Sequence, residues 1–240
     1  MISIRNEDEF LRLLKALASD IINAHIHYKM YRDLLNAGND YPNVIAQTNT
    51  FWSLTIDSHF TSSRHFLVRA YDQNKDALHL FSFLKTIEEN LPLFDKTNFI
   101  ARNRENPYVE DLANEDRIPN LKELSEDALL CSDTDPLVKT LTIHRGNLIA
   151  HRNAKNTARG RTLGETYSLT FGDYEELLNR AIMILNKYSR LFDASTYSSK
   201  IIGSDDFHYI FKCISEHLKS LDKLYEDELA TFNQSSRVND

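Results

Sequence analysis

Apolar residues recur at alternating steps of three and four near both ends of this 240-residue chain. This spacing places them on one face of an α-helix, so it predicts a long amphipathic helix at each end. The first helix opens at the capping box Asn6-x-x-Glu9 and ends near Gly38, and the last is expected over about 204–232. The two apolar stripes are Phe10, Leu14, Leu17, Ile21, Ala24, Tyr28, Tyr31 and Leu35, and Phe207, Phe211, Ile214, Leu218, Leu221 and Tyr225.

The scarcity of glycine and proline favours an all-α fold. Six Gly and five Pro fall well below the usual combined share of about 12% and leave little turn chemistry for many short strands. The segment 91–120, which three prolines divide, is expected to connect helices and to hold short helices at most. The remaining helices are predicted over 43–71, 77–90 and 121–131, from Pro136 onward, and over 173–192 after the capping box Asp173-x-x-Glu176.

These elements predict a multi-helix bundle with long N- and C-terminal helices. The chain shows no internal repeat, so we expect a single helical domain over 1–240, with a core at about 44–193. No run of 18 apolar residues exists, and the charged N-terminus differs from a signal peptide. The sequence therefore predicts a cytoplasmic protein without a membrane partner. Cys131 and Cys213 show no metal-ligand spacing and are expected to be buried free thiols.

Positive charge is concentrated in one part of an otherwise acidic chain. The net charge is −7, which argues against non-specific coating of nucleic acid. The segment 136–164, however, contains no Asp or Glu. This basic island favours a local anion site, although a solvated charged loop would have the same composition. Its basic residues are Lys139, Arg145, Arg152, Lys155, Arg159 and Arg161.

The start of the basic island also carries an unusual helical face. At helical spacing, two histidines fall within a leucine stripe, and Arg145 and Arg152 project beside them. Such a face is costly to bury without hydrogen-bond partners, so it indicates either a satisfied polar core or a phosphate site. The stripe consists of Leu137, Leu141, His144, Leu148 and His151.

The segment from Arg145 to His151 matches the R-x(4–6)-H motif and thereby resembles the HEPN superfamily. Three neighbouring segments strengthen the resemblance: IAHRN at 149–153, LTFGDYEELLNRAIMIL at 169–185, and the Phe51-Trp52 helix that leads to RAYD at 69–72. The last two are similar to helices of the AbiU-type branch, which belongs to abortive-infection systems. The resemblance covers about 51–192 and implies a HEPN-like bundle.

The resemblance implies metal-independent RNA cleavage by attack of the 2′-hydroxyl on the adjacent phosphorus, without a cofactor. His151 would be the general acid or base and Arg145 the group that binds the phosphate. It further implies a homodimer with a composite site, for which the stripe of Leu137, Leu141 and Leu148 suits the seam. An antitoxin or a nucleotidyltransferase is a further partner that such systems suggest. The substrate-binding candidates are His144, Asn147, Arg152 and Lys155.

Two alternatives to a nuclease remain open: a non-catalytic HEPN-like module that binds RNA, a nucleotide or a protein, and a purely structural interaction module. Many active HEPN proteins have Asn, Asp or His directly after the motif arginine, where this chain has Gly146. The glycine could allow a helix kink that brings Arg145 and His151 together, since a regular helix separates them by about 120°. It could equally mark a non-catalytic module that binds RNA, a nucleotide or a protein. In the second alternative, His144 and His151 are hydrogen-bonded core residues of an interaction module.

Overall fold

The computed structural model describes residues 2–144, 158, 168–200, 202–203 and 205–237. The described ranges contain α-helices and one 3-10 helix and no strand, which confirms the all-α prediction. The helices are α1 Glu7–Asp40, α2 Pro42–Gln47, α3 Asn49–Tyr71, α4 Leu80–Glu89, the 3-10 helix Leu91–Phe94, α5 Lys96–Arg102, α6 Val109–Leu112, α7 Leu121–Leu130, α8 Pro136–His144, α9 Phe171–Asp193 and α10 Phe207–Arg237.

The chain divides into two compact units. The larger unit comprises Met1–Ile26 and Thr61–Lys200, and the smaller comprises His27–Phe60 and Ile201–Asp240. Helices α1 and α3 therefore contribute residues to both units. A single HEPN-like domain over 1–240 stays a prediction.

Four phenylalanine rings form the centre of the larger unit. The ring of Phe10 in α1 lies 5.2 Å from that of Phe83, 5.5 Å from that of Phe94 and 4.6 Å from that of Phe192. All four side chains are at most 1% exposed. Their contacts join α1, α4, the 3-10 helix and α9. Each ring buries a large apolar area, which stabilises this packing.

Two arginines fasten the connecting region to the larger unit. Arg102 donates to Glu7 at 2.8 Å and to the carbonyl of Phe192 at 2.7 Å. Arg117, which is 3% exposed, donates to the carbonyl of Arg190 at 2.7 Å. Both acceptors lie in the last turn of α9, where the Arg190 carbonyl also accepts from the backbone N–H of Ala194. The short helices α5 and α6 agree with the prediction for 91–120.

The smaller unit has its own apolar cluster, which Phe211 of α10 occupies at 0% exposure. The ring of Phe211 lies 5.4 Å from that of Tyr41 and 4.6 Å from that of Trp52. The other buried members of this cluster are Leu34, Ala37, Val44 and Phe207.

Several predicted helix ends are wrong. The helix expected over 43–71 is interrupted at Thr48, which ends α2 and precedes α3. The helix expected from 77 begins at Leu80, where the His79 side chain accepts from the backbone N–H of Ser82. Helix α9 is capped by Thr170 paired with Asp173, so Asp173 is the third helical residue rather than the cap. The last helix begins and ends later than expected, at Phe207 and Arg237.

Candidate active site

The predicted catalytic residues follow directly after α8 in the sequence. His144 is the last residue of this helix, and its side chain is outside the described part of the chain. The roles proposed for these residues therefore stay predictions, and the described residues define how the helix before the motif is held. The candidates that lie outside the described residues are Arg145, Asn147, His151, Arg152 and Lys155.

The start of α8 is fixed by Asp135. One oxygen of its carboxylate accepts from the backbone N–H groups of Leu137 and Val138, both at 3.0 Å. Pro136 occupies the first helical position, where its missing N–H costs nothing. The carboxylate also complements the positive end of the helix dipole. The predicted start of this helix at Pro136 is confirmed.

Arg180 joins this helix start to two neighbouring helices. Its Nη1 lies 3.0 Å from Oδ2 of Asp135 and 2.9 Å from the carbonyl oxygen of Leu130, at the end of α7. Burial alone would lower the pKa of Arg180, but its hydrogen bond to Glu176 and the charge of Asp135 outweigh burial and raise it. The guanidinium therefore stays charged and connects α7, α8 and α9.

The buried face of α8 overlaps the predicted stripe only in part. Val138 is 0% exposed and Leu141 is 1% exposed, whereas Leu137 is only half-buried. Leu141 packs within one subunit and cannot form part of a seam between two subunits without repacking. The prediction that Leu141 contributes to a dimer seam is therefore wrong, and Leu148 lies outside the described residues.

Buried hydroxyl groups hold α9 against α3, and α3 against α1, through hydrogen bonds that the sequence patterns did not predict. The Tyr71 hydroxyl donates to the carbonyl oxygen of Leu177 at 2.9 Å. The Ser63 hydroxyl donates to the carbonyl oxygen of Ala24 at 2.6 Å and lies 2.7 Å from the hydroxyl of Tyr174. Tyr71 belongs to the RAYD segment of the resemblance, and Ser63, Tyr71 and Tyr174 also lie at helical spacing on the apolar stripes of their helices, which were the available signals.

Carboxylates on the neighbouring helix are paired with cations. Asp127 of α7 lies 2.8 Å from Nζ of Lys187 and accepts from the Tyr188 hydroxyl at 2.7 Å. Burial raises the pKa of Tyr188, and this hydrogen bond raises it further. Lys139, the one basic-island residue within the described part of α8, is exposed. Asp127 and Asp135 are thus both paired with cations, so neither carboxylate adds an uncompensated negative charge near α8.

Neither cysteine has the environment of a catalytic thiol. Cys131 is buried, as predicted, and burial raises its pKa, which suppresses the thiolate form. Cys213 lies on α10 and is exposed, so the prediction that it is buried is wrong. Within the described ranges, no group of three or more His, Cys, Asp or Glu side chains is arranged to hold a metal ion.

Two open cavities lie away from α8. One of about 600 Å³ is lined by Glu7, Arg102 and Phe192 among others, and one of about 700 Å³ is lined by Glu115, Lys187 and their neighbours. Both combine carboxylates with cations, so neither presents a purely basic surface to a phosphate. We assign no substrate to either cavity.

The all-α fold of the described residues and the R-x(5)-H motif in the sequence agree with the resemblance to HEPN domains. The chain belongs to the AbiU2 family of HEPN domains, whose family model matches residues 7–212. No curated protein and no solved structure matches the chain. No helix in the described part of the chain is long and apolar enough to span a membrane.

Proposed function

We propose that this chain is a metal-independent endoribonuclease of an abortive-infection or toxin–antitoxin type system. The observation that carries the proposal is the Arg145-to-His151 motif, which directly follows α8 in a member of the AbiU2 family. The basic island supports it, because 136–164 contains six cationic side chains and no carboxylate. RNA in the cytoplasm would be the substrate, and an antitoxin or a nucleotidyltransferase would be the regulatory partner.

The proposed reaction is an internal transesterification. The 2′-oxygen loses its proton to a general base and bonds to phosphorus, while the bond from phosphorus to the 5′-oxygen breaks. The leaving oxygen takes a proton from a general acid, which yields a 2′,3′-cyclic phosphate and a 5′-hydroxyl. An imidazole suits both proton transfers because it titrates near neutral pH, and His151 would supply it.

The remaining candidates would bind the phosphodiester. Arg145 would donate to the non-bridging oxygens and stabilise the negative charge that develops on them. Asn147 and His144 would orient the reacting groups, while Arg152 and Lys155 would bind the flanking backbone.

A composite site between two copies would supply both the acid and the base. One motif contributes a single His151, whereas the reaction moves two protons at opposite sides of phosphorus. A homodimer with two facing motifs would supply two copies of His151, one for each proton transfer. Because Leu141 is buried within one subunit, other residues would have to form the seam.

The direct test is incubation of labelled RNA with the purified chain in EDTA. We expect cleavage by the wild type and loss of roughly 10²–10⁴ in rate for His151→Ala, the usual range for an acid–base group. Arg145→Ala should be similarly impaired. Matched controls are His217→Ala and Arg104→Ala, which remove exposed side chains elsewhere and should leave the rate unchanged. Activity that persists in His151→Ala would contradict the proposal.

A non-catalytic HEPN module that binds RNA, a nucleotide or a protein is the second candidate. Gly146 favours it, because many active relatives have a polar residue directly after the motif arginine. RNA binding without cleavage, weakened in Arg152→Ala and Lys155→Ala, would support this function. The slope of the logarithm of the binding constant against the logarithm of the salt concentration should then become shallower by about one for each cation removed.

A further inference from the structure

One apolar stripe runs along nearly all of α10. Its members are spaced by three or four residues, so they share a face about 80° wide on a helix. The part of α10 after residue 212 lies beyond the span that the AbiU2 family model matches. The stripe consists of Phe207, Phe211, Ile214, Leu218, Leu221, Tyr225, Leu229 and Phe232.

The first half of the stripe packs within the smaller unit. Phe207 is 9% exposed and Phe211 is 0% exposed. Ile214 and Leu218 pack against the same cluster as partly buried residues. These contacts explain why the first three turns of α10 are apolar on this face.

The second half of the same stripe is exposed. Tyr225 is 64% exposed, Leu229 is 61% exposed and Phe232 is 70% exposed, and Leu224 beside them is 58% exposed. From typical side-chain areas, this is about 500 Å² of apolar surface. A contiguous patch of that size is at the upper end for a monomer and marks an interaction site.

The charges beside the exposed stripe favour a protein partner over a membrane or nucleic acid. Between Leu218 and Phe232, four carboxylates outnumber the two lysines, Lys219 and Lys223; the carboxylates are those of Asp222, Glu226, Asp227 and Glu228. A helix that binds an anionic lipid surface carries basic residues on its polar face instead. Nucleic acid would likewise be repelled by the acidic side chains.

The spacing of the stripe residues is symmetric about Tyr225, so it is the same toward either end of the helix. From Leu218 to Phe232 the steps are three, four, four and three, centred on Tyr225. A second copy of α10 that runs antiparallel therefore places Leu218 opposite Phe232 and Leu221 opposite Leu229. The stripe is self-complementary about a two-fold axis, as an isologous interface requires.

We propose that the exposed half of α10 is a homodimerisation surface, in which two copies pair antiparallel about Tyr225. The pair would bury about 1,000 Å² of apolar surface from the exposed side chains of both copies, which is the lower limit for a specific interface. This contact is independent of the nuclease motif, and it forms whether or not the proposed composite site exists.

The acidic edge gives the pairing a defined salt dependence. Asp222 and Glu226 lie along one edge of the stripe, and antiparallel pairing places this edge against the same edge of the second copy. Their carboxylates repel each other, and dissolved salt screens this repulsion. Dimer affinity is therefore expected to rise with ionic strength.

The first test compares two substitutions that add one carboxylate to opposite faces of α10. Leu229→Glu places it on the stripe, and Ser220→Glu places it on the far side of the helix. Light scattering coupled to size-exclusion chromatography should give Leu229→Glu half the mass of the wild type, and Ser220→Glu the full mass. A ratio of two is expected even if a second interface makes the wild type a tetramer. Equal masses for Leu229→Glu and wild type would overturn the proposal.

The second test determines the orientation by disulfide cross-linking. In a Cys213→Ser background, which removes the exposed thiol, Tyr225→Cys lies on the two-fold axis and should cross-link under mild oxidation. Leu229→Cys should not, because its counterpart is about 12 Å away along an antiparallel pair. Cross-linking of Leu229→Cys as readily as Tyr225→Cys, or no cross-linking of Tyr225→Cys, would contradict antiparallel pairing.

Discussion

Arg180 and Asp135 form an ion pair in which Nη1 lies 3.0 Å from Oδ2 and each side chain is only 12% exposed. Asp135 uses its other oxygen to cap α8 at Leu137 and Val138. The same carboxylate therefore holds the start of α8 and connects it to α9. The proposed motif follows at the other end of α8, so this ion pair determines where the helix that leads to the motif is placed.

Loss of Arg180 should strongly destabilise the larger unit. Arg180→Met removes the cation that pairs with Asp135 and the donor to the carbonyl of Leu130, while Asp135 keeps its hydrogen bonds from the backbone of α8. We expect the free energy of unfolding to fall by about 3 kcal/mol, as in other largely buried pairs. Urea denaturation followed by circular dichroism measures this change.

A second arginine on the same helix provides the matched control. Arg190 is 62% exposed and pairs with Glu115, which is 50% exposed. Exposed pairs contribute little, so Arg190→Met should cost less than about 1 kcal/mol. An equal loss of unfolding free energy in Arg180→Met and Arg190→Met would show that the contact with Asp135 contributes no more than an exposed ion pair.

The pair of His27 and His59 should make stability depend on pH. Their Nδ1 atoms lie 3.0 Å apart. Burial lowers the pKa of both, and the charge of His27 lowers the pKa of His59 further. Because an unfolded histidine titrates near pH 6.5, the unfolded chain binds more protons as the pH falls below that value. Stability is therefore complete above about pH 6.5 and is lost as the pH falls.

Thermal unfolding at about pH 7.5 and about pH 5.5, on either side of the unfolded histidine pKa, tests this dependence. The fall in Tm should be smaller for His59→Asn than for the wild type. It should not vanish, because burial also lowers the pKa of His25 and His79. His217→Asn, at an exposed position, should behave as the wild type does. An unchanged fall in His59→Asn would contradict the assigned cause.

The Tyr71 hydroxyl should contribute measurably to stability. Tyr71→Phe keeps the ring packing but leaves the carbonyl of Leu177 without this donor in the core. Leu177 lies inside α9, so its carbonyl keeps the helical N–H donor, and the change removes one buried hydrogen bond. We expect a loss of about 0.5–1.5 kcal/mol in urea denaturation. Tyr108→Phe, at a position that is 69% exposed, should be neutral. A neutral Tyr71→Phe would show that the hydroxyl bond adds nothing.

The cap of α9 should depend on a hydroxyl at position 170. The Thr170 side chain accepts from the backbone N–H of Asp173 at 3.1 Å, and the Asp173 carboxylate accepts from the backbone N–H of Thr170 at 2.9 Å. Thr170→Ala should reduce the free energy of unfolding by about 1 kcal/mol, whereas Thr170→Ser should retain most of it. Equal losses in both variants would exclude the hydroxyl as the cause.

Periodicity predicted the helices well because their apolar faces are long and regular. The stripe in α1 gave Phe10, Leu14, Leu17 and Ile21 as core residues, and all four are 0% exposed. Helix ends were less predictable, since they depend on single side chains. His79 caps α4 through its imidazole, which is a rare cap, and Thr170 rather than Asp173 caps α9.

The periodicity of apolar residues could not reveal which helices pack against each other. In α8 the stripe correctly included Leu141, but it missed Val138, which is fully buried, and it included Leu137, which is only half-buried. His27 and His59 are 32 residues apart, so their contact depends on the packing of α1 against α3. Contacts between distant segments arise from tertiary packing, which spacing within one helix does not encode.

The end groups of the RNA product test the proposed nuclease most directly. Digestion of a defined RNA in EDTA should yield fragments that end in a 2′,3′-cyclic phosphate and begin with a 5′-hydroxyl. A substrate with a 2′-deoxy nucleotide at the cleaved position should stay intact, and His151→Ala should give no product. Fragments with 3′-hydroxyl and 5′-phosphate ends, or cleavage at the 2′-deoxy position, would contradict attack by the 2′-hydroxyl and the role proposed for His151.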